Sequence, residues 1–127
     1  MKANITGQMR EIFDEYTKEV KRATNNAQDI VAKECVQKLK NTSPKRAGRG
    51  KHYANGWAVK RKRGLVGIND VVVYNKSKPQ LTHLLENGHI VRNEKGTYGR
   101  ARAIKHIAPV EEYAADELPR RIERELK

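Results

Sequence analysis

One apolar stripe constrains the fold more than any other feature of the chain. Ile5, Met9, Ile12, Tyr16, Val20, Ala23, Ala27, Ile30, Val31, Cys35 and Leu39 recur at spacings of three and four almost throughout, with charges between them. That period is helical. It predicts helix from about Thr6 to Lys40, inside a helical segment covering residues 1–42, with Thr6 as its N-cap. A helix of that length spans roughly 50 Å, more than the width of a small domain. A chain of 127 residues therefore cannot bury the whole stripe on its own core. Asn25 and Asn26 are weak helix residues in the middle, where a kink or a break into two helices could fall. Two solutions stay open: one long helix whose surplus stripe faces another subunit, or two shorter helices folded on one core.

The remaining chain divides at its turn signals. Asn41-Thr42-Ser43-Pro44 ends the helix, because the residue before a proline is pushed out of the α region. A basic loop over residues 43–52 follows and carries Arg46, Arg49 and Lys51 without an acid. Tyr53–Arg63 and Leu65–Tyr74 alternate as strands of a hairpin or meander over residues 53–75, with Trp57 and Val59 on one face. Leu81, Leu84 and Leu85 then mark a short central helix, about Gln80–Asn87 within 80–88, which Gly88 is placed to stop. Trp57, Leu84 and Leu85 are expected in the core; Glu86, Gly88 and His89 are expected to shape the turn. Glu86 falls near the helix C-terminus, where the macrodipole disfavours an anion, so a cation or a backbone N–H should face it. Residues 89–103, with Arg92, Lys95, Arg100 and Arg102, show no apolar period and read as a flexible basic loop. Residues 104–127 read as a short strand at Ile104–Ile107 and a C-terminal helix opened by Pro109. Glu111 and Glu112 would lie in its first turn, and Pro119 should kink or break it near Leu118. The expected class is α+β in a single domain, 1–127: a long N-terminal helix, a small antiparallel β-sheet, and the short central helix and C-terminal helix packed on that sheet.

The net charge of +12 is uneven. Residues 40–105 hold sixteen Lys/Arg against three Asp/Glu, while both ends are nearly neutral. Such a basic middle attracts polyanions or an acidic protein partner. A single cysteine, Cys35, excludes an intramolecular disulfide and a Cys-rich zinc site; its place on the stripe suits a small buried hydrophobe. No stretch approaches the length of a membrane-spanning helix or a signal-peptide core, so no membrane association and no targeting segment are expected. His83 and His89 lack the spacing that puts two ligands on one helix face, and His83, Glu86, His89 and His106 would form a zinc site only if the fold gathered them. The expectation is no metal, no cofactor and no catalytic residue. A small ribonuclease-type toxin, with Lys60, Arg61, Arg63, His83 and Glu86 as acid–base groups, is one alternative. A basic nucleic-acid-binding module is the other: Lys60-Arg61-Lys62-Arg63 near Trp57, Tyr53 and Tyr98 mixes cations with aromatics, though no known reading motif is present.

The order of short motifs carries a resemblance. Ser43-Pro44-Lys45-Arg46-Ala47-Gly48 is followed by Tyr53-Ala54-Asn55-Gly56-Trp57 and Val73-Tyr74-Asn75. Leu84-Leu85-Glu86-Asn87-Gly88-His89 and then His106-Ile107-Ala108-Pro109 complete the series. Over about residues 40–115 this resembles the tailed-bacteriophage minor structural proteins of the head–tail joining, or tail-completion, family of the virion neck. Ala47 stands where the family often has threonine, and Lys105 where it often has proline. The resemblance implies a non-enzymatic α+β protein of the virion neck, in the host cytoplasm during assembly. It would form a homo-oligomeric ring around the DNA channel, bind other neck and tail proteins, and in some members stay monomeric until assembly. On that reading Arg46, Arg49, Lys51, Arg92, Lys95, Arg100 and Arg102 face partner subunits or the DNA channel.

Overall fold

Helix α1 runs unbroken from Ile5 to Thr42 in a computed structural model that describes residues 5–45, 51–64, 66–93 and 96–127. Of the two solutions open for the stripe, the single long helix is the one adopted. Thr6 lies inside its first turn rather than capping it. Asn25 does not break the helix, because its side chain has another use. Its Nδ2 donates to the Gly67 carbonyl at 3.0 Å and its Oδ1 accepts the Asn69 N–H at 2.9 Å. That clamp holds the loop between the next two strands against α1. The helix ends where Ser43, buried, returns its backbone N–H to the Leu39 carbonyl at 2.9 Å.

The elements that follow are α2 (Lys51–Asn55), β1 (Trp57–Lys62), β2 (Asp70–Asn75), α3 (Leu81–Asn87), β3 (His89–Asn93), β4 (Gly96–Ala101) and α4 (Ile107–Leu126). β1 and β2 form the expected small antiparallel sheet, from Trp57 opposite Asn75 to Lys62 opposite Asp70. The register puts Trp57, Val59 and Arg61 on the face toward α1, where Arg61 Nε meets Asp29 at 2.6 Å. Ala58, Lys60 and Lys62 take the other face.

Several boundaries differ from the sequence expectation. Tyr53 belongs to the short helix α2, not to a strand, so the basic loop ends before Lys51. β3 and β4 pair antiparallel in place of the flexible loop expected over 89–103. Their sequence shows no apolar alternation, which is why period alone does not reveal them. Ile104–Ile107 is not a strand: residues 102–106 are irregular and α4 starts at Ile107. Glu111 therefore falls in the second turn of α4, not the first, and Pro109 is its third residue. Pro119 neither ends nor breaks α4. It sits on the exposed side, so the carbonyl at Ala115 that it leaves without a helical donor lies on the wet face. The main partner of α4 is α1, not the sheet. Arg121 meets Glu34 at 2.8 Å, Tyr113 donates to Glu34, and the Lys38 ammonium stands 4.2 Å over the Tyr113 ring.

The core is Val31, Cys35, Leu39, Tyr53, Trp57 and Val110, with Val73, Leu81, Leu85 and Leu118 packed on its edges. Leu84 is not in it. Leu81 and Leu85 are four apart and share the inward face of α3, whereas Leu84 lies on its flank and is 40 % exposed. The α1 stripe is buried only from Ala23 onward. From Ile5 to Glu19 every residue except Gly7 is exposed.

Candidate functional site

The chemistry-bearing side chains gather where α2, α3 and the start of α4 meet. α3 is short, and its last turn aims Glu86 at the N-terminus of α4. One carboxylate oxygen accepts the N–H groups of His106 (2.8 Å) and Ile107 (2.9 Å), and the other accepts that of Ala108 (3.0 Å). Free N–H groups at a helix start attract an anion. His106, the N-cap residue, makes no capping bond with its own side chain; Glu86 caps α4 from twenty residues away. Burial pushes the Glu86 carboxyl up, but the bonds from Ile107, His106 and Ala108 outweigh it and hold the group below its ordinary value. The unfavourable position of Glu86 at the end of α3 is thus compensated by the opposite dipole end of α4.

His106 is the most enclosed large side chain, 2 % exposed. Its Nδ1 lies 2.9 Å from the Ile104 carbonyl and 3.0 Å from Glu86. Both are acceptors, so Nδ1 carries the proton. In the neutral ring Nε2 then accepts from the Tyr53 hydroxyl at 2.7 Å. Tyr53, Trp57 and His106 pack edge to face, with centroids 5.6–6.2 Å apart. Burial, followed by the nearby Glu86 charge, raises the Tyr53 hydroxyl's pKa against the opposing pull of Thr82. Trp57 Nε1 donates to Ser43 Oγ at 2.7 Å, which ties the same cluster to the end of α1. A carboxylate, an imidazole and a hydroxyl in series could move a proton. Here both imidazole nitrogens are partnered inside the fold, so the series joins elements.

Gly88 completes the junction. Its φ of 75° suits glycine, and a Cβ there would stand 2.6 Å from the Ala101 carbonyl oxygen. Asn75, buried, binds the Tyr53 carbonyl at 2.7 Å through Nδ2, while its Oδ1 accepts the Ser77 and Lys78 N–H groups. Sequence reasoning passed over Asn25, Ser43 and Asn75 as binding groups. Their signals were present as an Asn-Asn pair, a Ser-Pro step and an Asn after a β-branched run, but each partner is remote in sequence.

Of the expected residues, the fold brings together Trp57, Leu85, Glu86, Gly88 and His106, with exposed Pro109 one turn on. His89 contributes backbone to β3, opposite Ala101. His83 is exposed and joins no ligand set; among the described residues no group of three or more His, Cys, Asp or Glu is placed to hold a metal ion. Arg46, Arg49 and Lys95 lie outside the described residues. Lys51 falls in α2 and Arg92 in β3. Arg100 is exposed on β4 and reaches the Asn87 carbonyl at 3.3 Å, and Arg102 is exposed just beyond. Among the described residues no helix is long and apolar enough to cross a membrane.

A second candidate surface is the arm of α1. Ile5, Met9, Ile12, Phe13 and Tyr16 line one side of it, each at least 49 % exposed. Apolar side chains in such a row are uncommon on a free monomer and mark an interaction face.

Among known families, the model described as "Bacteriophage HK97-gp10, putative tail-component" matches residues 4–88, from the arm through Gly88. No curated protein and no solved structure matches the chain.

Proposed function

This chain belongs to the HK97-gp10-like family of phage tail-component proteins, and from that premise we propose that it joins head and tail in the virion neck. It acts by binding, as a ring of copies around the DNA channel, and catalyses nothing. The observation that carries this reading is the bare stripe of the α1 arm. A row of large apolar groups projecting past its own domain is built to be covered by protein. The His106 cluster supports it further, since its hydrogen bonds hold α2, α3 and α4 together and tie them to the end of α1. The basic middle of the chain suits a channel that DNA passes through, where sequence-independent attraction to phosphate is enough. Its partners are other neck and tail proteins, and its place is the virion after assembly in the host cytoplasm.

Deleting the gene from its phage tests the reading. Electron microscopy of the lysate should show DNA-filled heads and finished tails accumulating apart, with joined particles restored by the gene in trans. Joined, infectious particles from the deletion would contradict it.

A further inference from the structure

We propose that the outer face of the β1–β2 hairpin in one copy receives the α1 arm of a second copy. The inference rests on the assembly reading above for its occupant, and adds which surfaces meet. The donor is the stripe just described. Residues 5–19 hold four acids, Glu11, Asp14, Glu15 and Glu19, against Arg10 and Lys18, so the arm is net acidic on a strongly basic protein. Glu15 and Glu19, one turn apart, run beside the apolar row, with Glu11 one turn before Glu15 and farther round the helix.

The acceptor is the sheet face turned away from α1. Register places Ala58 beside Tyr74, Lys60 beside Val72 and Lys62 beside Asp70 on that face. Val72 is 55 % and Tyr74 39 % exposed. Lys60, Lys62, Asp70, Val72 and Tyr74 also line an open groove that continues round the sheet to Val71 and to Gln28 of α1. An apolar strip bordered by lysines is the complement of an apolar row bordered by glutamates.

The arm cannot reach its own groove. Asn25 clamps the hairpin loop to α1, and Arg22 binds Glu125 near the end of α4. Residues 5–18 therefore project roughly 20 Å past the last packed turn, in a helix that would have to break to fold back. Arm against arm would set acid beside acid, and sheet face against sheet face lysine beside lysine. Arm to hairpin is the pairing that satisfies both apolar area and charge. Each copy then gives one arm and takes one, a heterologous contact that closes into a ring or runs on as a chain. One such contact removes on the order of 1,000 Å², the low end for a specific interface. A pair of copies should accordingly dissociate readily, and closure should stabilise the set.

Disulfide trapping in the full chain tests it. Met9→Cys protein is mixed with isotopically labelled Val72→Cys protein and oxidised; Cys35, buried and with its thiol pKa raised by burial, stays as a silent background. Both substitutions are at exposed sites, and unchanged circular dichroism confirms folding. The expected product is the mixed link between the two introduced thiols, arm to sheet face, about tenfold above a control pair of Met9→Cys with Arg120→Cys. Adding Glu11→Lys and Glu15→Lys to the arm should lower the yield about tenfold, and Lys60→Glu with Lys62→Glu in the partner should restore it. Predominant Met9→Cys self-links, or a mixed link no higher than control, would overturn the docking. Rings seen without the mixed link would remove this contact and keep the assembly reading. The mixed link with only open chains would keep the contact and remove the ring.

Discussion

Glu86 carries more of the architecture than its single charge suggests. It satisfies three N–H groups at the start of α4 and faces the buried imidazole of His106, so removing its charge loosens two helices at once. Replacing it with glutamine should lower stability by about 1.5–3 kcal/mol at neutral pH, the usual loss for hydrogen bonds to a charged group. Its pKa is depressed in the folded protein from an ordinary value near 4.5. The stability it supplies is therefore complete above that value and fades as pH falls through the lower, folded one. Urea melts at stepped pH should show wild type and Glu86→Gln well separated at pH 7 and converging as pH falls below 4.5. Parallel curves at every pH would mean that the carboxylate does not cap α4. At Gly88, valine should cost at least about 3 kcal/mol, from positive-φ strain and collision with the Ala101 carbonyl. Arg100→Ala, which loses one exposed contact, should stay within about 0.5 kcal/mol. Equal melting temperatures for these two variants would refute the role given to the turn.

At the scale of elements, the legible parts were those whose signal is local. The α1 stripe, the Trp57 strand, and α3 with its glycine stop can each be read from residues within two turns of one another. The β3–β4 pairing could not be read, because its sequence shows no apolar alternation. The continuity of α1 through Asn25 was hidden for a related reason: the group that uses that asparagine is a loop more than forty residues away. Within the site, Glu86 announced that it needed a donor, but nothing local said that α4 supplies it. Pro119 misled in the opposite sense. It is a strong helix breaker by propensity, yet the packing of α4 on α1 carries the helix past it. That packing implies a stored cost, so Pro119→Ala should raise stability by about 1–3 kcal/mol, read as a higher melting temperature. No gain would show that the turn around Ala115 and Pro119 is already relaxed.

For the whole molecule, the decisive property is surplus. The fold closes its polar cluster inside, covers the C-terminal part of α1 with α4 and the first hairpin, and leaves the first four turns of α1 bare. On the proposed reading such a surplus has a use, because a tail component joined to other copies would cover it there. The charge follows the same division, with an acidic arm at one end and a basic sheet face in the middle, the pairing on which the proposed contact between copies rests. The measurement that tests this account most directly is the fraction of joined virions when a gene deletion is complemented by an arm variant, Ile12→Glu with Phe13→Glu. Both residues are exposed, so the purified variant should melt with the wild type. The account predicts that heads and tails nonetheless accumulate apart, as in the deletion. Joined, infectious particles at wild-type numbers would contradict it.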